Sequence, residues 1–82
     1  MWKYTVQVDG MMCGMCESHV NDAVRRALPV KKVSSSRGRG ETVVVSEQEL
    51  DETVLSSAIA AAGYEVGKIQ REPYTRHGLF GR

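Results

Sequence analysis

WKYTVQVDGMMCGMCESHVNDAVRRALP, residues 2–29, changes its hydrophobic period once, and that change decides the fold. Up to residue 8 the alternation is strict. Trp2, Tyr4, Val6 and Val8 fall on one side, and Lys3, Thr5 and Gln7 on the other. A period of two is that of a half-buried strand. Asp9-Gly10 breaks it, and a loop carrying Met11, Met12, Cys13 and Gly14 follows. From about Met15 the spacing becomes helical, with Val20, Ala23, Val24, Ala27 and Leu28 on one apolar stripe. Glu17 in the first turn and Arg25 and Arg26 near the end suit the helix dipole, and Pro29 stops the helix.

Beyond Pro29, residues 30–36 and 41–45 read as two strands of an antiparallel hairpin around Arg37-Gly38-Arg39-Gly40. Val33 supports the first arm, which a triple serine weakens, and Thr42-Val43-Val44-Val45 supports the second. Ser46-Glu47-Gln48-Glu49 has the spacing of a capping box. The helix it is expected to open carries Leu50, Val54, Leu55, Ala58, Ile59 and Ala62 on one side and ends at Gly63. Tyr64, Val66 and Lys68 then alternate with Glu65, Gly67 and Ile69 in a last short strand. The order βαββαβ divides into two strand-helix-strand halves. That is an α+β, ferredoxin-like sandwich, two amphipathic helices on one face of a four-stranded antiparallel sheet. Residues 1–71 are expected to form this domain, and residues 72–82 a basic, mobile tail in which Leu79-Phe80 could dock.

With 82 residues the chain suffices for one domain with a thin core. A net charge of +1 points to neither nucleic acid nor a membrane surface, and two arginines fall short of an RNA-binding Arg/Gly tract. The chain shows no basic segment followed by an apolar run and no stretch long enough for a membrane helix. A cytoplasmic address without membrane insertion is therefore expected. Thiols stay reduced there, so two cysteines three positions apart read as metal ligands or redox groups rather than a structural disulfide.

Cys13 and Cys16 stand where the first loop becomes the first helix. Unpaired backbone donors at a helix N-terminus favour an anion and raise the thiolate fraction. Thiolate sulfur suits Cu(I) and also zinc, and Gly14 gives the loop freedom to bring both sulfurs to one ion. Three alternatives stay open at this point. A structural zinc site would need His19 and His77, whose spacing is wrong for a finger. A carrier or sensor of Zn(II), Cd(II) or Hg(II) would use His19, close above Cys16 on the helix, as an extra ligand. A small thiol-disulfide oxidoreductase would also place its dithiol at a helix N-terminus, although this order of elements is not that of a thioredoxin core.

Gly10-Met11-Met12-Cys13-Gly14-Met15-Cys16, followed by Val20 and Ala23, resembles the Gly-Met-x-Cys-x-x-Cys signature of the heavy-metal-associated domain family. Ala62-Gly63-Tyr64 is similar to that family's later loop, and the likeness covers about residues 3–70. The resemblance implies a soluble, copper-chaperone-like carrier and not an enzyme. Cu(I) would be bound by Cys13 and Cys16 and passed on by ligand exchange. Its partners would be a metal-transporting P-type ATPase or a metal-responsive regulator, with the chain a monomer or a metal-bridged dimer. Met11 would pack beneath the loop, and Tyr64 would lie near the metal and shield the thiolates. Met12 and Met15 depart from the family's small polar residues and read as soft side chains for partner contact.

Overall fold

The computed structural model describes residues 1–74. Their elements are β1 (Trp2–Asp9), α1 (Gly14–Ala27), β2 (Lys32–Ser36), β3 (Glu41–Ser46), α2 (Glu52–Ala61) and β4 (Glu65–Pro73). All strand pairs are antiparallel, in the order β2-β3-β1-β4. This is the ferredoxin-like arrangement that periodicity implies. No described helix is long and apolar enough to cross a membrane.

The inner face of β1 is the one the alternation marks: Tyr4, Val6 and Val8 are buried and Trp2 is half-buried. They share one apolar cluster with Val20 and Val24 of α1, Val33 and Val44 of the hairpin, and Leu55 and Ile59 of α2. Both helices therefore cover the same face of the sheet. The serines of β2 are tolerated because Ser35 is bonded twice. Its hydroxyl lies 2.6 Å from Asn21 Oδ1, to which it donates, and 2.8 Å from the hydroxyl of buried Thr42. That chain of polar groups fastens α1 to the hairpin.

Four local expectations are corrected. The capping box does not form, because Ser46 is the buried last residue of β3, and its hydroxyl accepts from the Gln48 N–H at 3.2 Å. The N-cap of α2 is Asp51, whose carboxylate accepts from the Thr53 N–H at 2.8 Å. Leu50 stays outside the helix. Its N–H donates to the Tyr4 hydroxyl at 2.7 Å, and that hydroxyl faces the Leu50 carbonyl at 3.4 Å. The apolar face of α2 is also narrower than the sequence implies: Leu55 and Ile59 are buried, whereas Val54 and Ala62 are exposed.

The other two corrections concern β4. Strict alternation sends Ile69 to the opposite face from Val66, but Val8 pairs with Val66 and Val6 with Ile69. Gly67 and Lys68 thus both stand opposite Gln7, a bulge whose extra residue returns Ile69 to the inner face. A side chain at position 67 would bring a Cβ to 2.9 Å from Gln7 Oε1, so glycine keeps the bulge uncrowded. The strand also runs beyond Arg71 to Pro73, paired to Trp2 and Lys3. Arg71 lies over the Trp2 ring at 4.9 Å, and Lys3 reaches Glu72 at 3.7 Å. The rest of the expected tail, with His77 and Leu79-Phe80, lies outside the described residues.

Tyr4→Phe is expected to leave the buried Leu50 N–H without an acceptor and to cost about 1–3 kcal/mol. Urea unfolding would measure it. A midpoint equal to that of the parent chain would show that the hydroxyl does not hold the α2 entry.

Candidate metal centre

The loop between β1 and α1 is shaped by what lies on either side of it. Gly10 has φ +104°, a left-handed turn that lets the chain leave the end of β1, and a Cβ there would stand 3.5 Å from the Tyr64 ring. Met11 turns inward and is buried, so the loop is anchored in the core directly before the cysteines. Cys13 is the N-cap of α1, in extended conformation, and its carbonyl accepts from the N–H groups of Cys16 (3.0 Å) and Glu17 (3.3 Å). Its side chain makes no capping bond, which leaves the thiol available.

Both cysteines are free, Cys13 exposed and Cys16 half-buried. The Cys16 thiol is pushed down from 9.0 to about 7. A hydrogen bond from the Tyr64 hydroxyl is the largest cause, followed by backbone hydrogen bonds at Met12 and Cys13. The same contact raises Tyr64 above the ordinary phenol value, because its proton is held against the thiolate. Near neutral pH, Cys16 is therefore divided between thiol and thiolate without any metal. An anionic sulfur at the positive end of a helix is the species that binds soft ions. The donor set fits such an ion: two soft sulfurs, one of them open to solvent.

The remaining expected site residues divide cleanly. Met12 is 82% exposed and Met15 70%, so both flank the cysteines as uncovered thioethers. Tyr64 stands beside the loop on the Gly10 side. His19 is exposed on α1, and among the described residues no group of three or more His, Cys, Asp or Glu side chains converges. The structure therefore does not gather His19 to the cysteine pair.

One neighbour escaped the sequence reading. Glu17, the residue after Cys16, accepts from the backbone N–H of Arg37 at 2.7 Å, and its other oxygen lies 3.8 Å from Arg37 Nη1. The hairpin turn is thereby joined to the first turn of α1. The residues are 20 positions apart, and no periodicity reports such a pairing.

No protein-family model matches the chain. It is 34% identical over 70 residues to a mercuric reductase of Lysinibacillus sphaericus, covering 85% of this chain and 13% of that one. To a mercuric reductase of Staphylococcus aureus it is 34% identical over 80 residues, covering 96% and 14%. The chain thus spans about a seventh of the length of these relatives. Among solved structures, a copper binding domain from HMA7, a P-type ATPase, matches with TM-score 0.77 and 28% identity, covering 89% of this chain and 100% of that one. The CopZ metallochaperone matches with TM-score 0.72 and 26% identity, covering 79% and 98%. Oxidized MerP from Ralstonia metallidurans matches with TM-score 0.70 and 28% identity, covering 82% and 96%.

The pH dependence of thiol alkylation checks the electrostatics. The Cys16 rate is expected to rise with pH, with a midpoint near 7, since only the thiolate reacts. Tyr64→Phe removes the largest depressing contact, so the midpoint should move upward toward 9.0. An unchanged midpoint would assign the depression to the backbone hydrogen bonds at Met12 and Cys13 instead.

Proposed function

We propose that this chain, a heavy-metal-associated domain in its fold and its cysteine loop, is a carrier that holds a soft thiophilic ion between Cys13 and Cys16. Cu(I) is the cargo this reading favours. The observation that carries it is the pairing of two free thiols at a helix N-terminus, one already biased toward thiolate and the other open to an incoming group. Two sulfurs satisfy a monovalent soft ion, and among the described residues no group of three or more His, Cys, Asp or Glu side chains is placed to hold one.

The mechanism follows from exposure. An incoming thiolate of a partner adds to the ion from the Cys13 side, forming one sulfur–metal bond. One resident sulfur then leaves, breaking another, and is free to take up a proton. The ion changes neither oxidation state nor, at the end, its number of sulfurs. Tight binding and fast transfer coexist because no step passes through a bare ion. Met12 and Met15 supply apolar, adaptable contact around the point of exchange, and buried Met11 keeps the loop from collapsing while the ligands change. The partner in this reading is a metal-binding domain of a P-type ATPase or a metal-responsive regulator, and the setting is the cytoplasm.

The likeness to mercuric reductases favours a second reading, in which the cargo is Hg(II) and the chain serves as the delivery segment of a longer reductase. Chemistry on the ion would then belong to other parts of that protein. The same two thiolates would bind Hg(II), another soft ion with a preference for sulfur.

Anaerobic competition between the reduced chain and a chromophoric chelator tests both readings, with Cu(I) and with Hg(II). One-to-one binding is expected. Loss of either cysteine should weaken it by more than the ~100-fold that outer-shell changes produce. His19→Ala should leave affinity unchanged, since that side chain is not gathered to the pair. Full Cu(I) and Hg(II) affinity in Cys13→Ala or Cys16→Ala would sink the carrier reading.

A further inference from the structure

We infer that Arg37 is a specificity-determining residue, which neutralises Glu17 beside the cysteine pair and so biases the site toward a monovalent ion. The inference rests on the proposed reading of Cys13 and Cys16 as the ligands.

Charge counting gives the reason. Two thiolates around a monovalent ion leave a complex of charge −1, whereas the same thiolates around a divalent ion leave a neutral one. Glu17 follows Cys16 directly, in the first turn of α1. The metal-free site is common to both, so the Glu17 carboxylate disfavours the first complex relative to the second. Left alone, it would penalise the monovalent cargo selectively.

Arg37 is placed to remove that penalty. Its guanidinium Nη1 is 3.8 Å from Glu17 Oε1. The same Nη1 would be 3.7 Å from a Cβ built on Gly14, the residue after Cys13. The positive group therefore lies beside the first residue of α1, which stands between the two ligands in sequence. Arg39, the other arginine of the turn, is engaged with Glu41 at 3.7 Å and does not share this task.

The two contacts of Arg37 have separable roles. The backbone N–H holds Glu17 at 2.7 Å whatever the side chain, while the guanidinium supplies only charge. Replacing the side chain should leave the anchor in place and expose the carboxylate's field. Both side chains are partly solvated, so the effect is that of a screened pair, about two- to five-fold in affinity.

The test compares the full chain with Arg37→Ala, Arg37→Lys and the double variant Glu17→Gln/Arg37→Ala, by competitive titration with Cu(I) and with Zn(II) at low salt. Amide hydrogen exchange at residue 37 of the metal-free proteins reports the backbone anchor. Arg37→Ala should lower Cu(I) affinity relative to Zn(II) affinity by about two- to five-fold, and about 1 M salt should erase the difference. Arg37→Lys should bind like the parent, the double variant should recover Cu(I) affinity, and residue 37 should stay protected in Arg37→Ala. Equal losses for both ions, no recovery in the double variant, or loss of that protection would each overturn the role given to Arg37. A parent chain that binds neither ion would instead overturn the carrier reading, and this inference with it.

Discussion

β1 is hydrogen-bonded along both edges and buried along one face, and the rest of the molecule is arranged around that condition. A strand held on three sides cannot slide without breaking two ladders and exposing Tyr4, Val6 and Val8 together. Its ends are therefore fixed points. At one end, the Tyr4 hydroxyl reaches across the core to set where α2 begins. At the other, the chain leaves through Gly10 into the loop that carries the cysteines. The position of the sulfurs is thus inherited from the most constrained element of the fold.

The first third of the chain was legible because its determinants are local. A period of two giving way to a helical stripe needs no knowledge of partners, and Cys13 and Cys16 are placed by that transition. Legibility declined where distant groups decide. Ser46 and Glu49 have capping-box spacing, yet Ser46 completes a strand, and Leu50 is claimed by a tyrosine 46 positions earlier. The length of β4 depends on pairing with Trp2 and Lys3, which no window of its own sequence contains. The contact of Arg37 with Glu17 is hidden for the same reason. The residues around the sulfurs were legible as types: Met11 is buried, Tyr64 adjoins Cys16, and Met12 and Met15 are exposed.

The site joins two demands that pull apart. A carrier has to stabilise sulfur as an anion, and it also has to leave that anion reachable. In the proposed carrier the two would be met by different cysteines. Cys16 is half-buried and takes the Tyr64 hydrogen bond and backbone support, while Cys13 is exposed at the N-cap with no side-chain capping bond. One sulfur is held toward its anionic form and the other is kept available.

The bulge opposite Gln7 ties this end of the molecule to its core through simple parity. Tyr64 and Val66 share one phase of β4, and Ile69 shares it only because Gly67 and Lys68 together occupy the place of one residue. Removing a residue between Val66 and Ile69 would restore a regular ladder and keep the pattern on one side of the bulge intact. A net insertion or deletion of one residue between Tyr64 and Val66 would instead put the tyrosine out of step with the half-buried valine. The spacing from tyrosine to core therefore behaves as a fixed count.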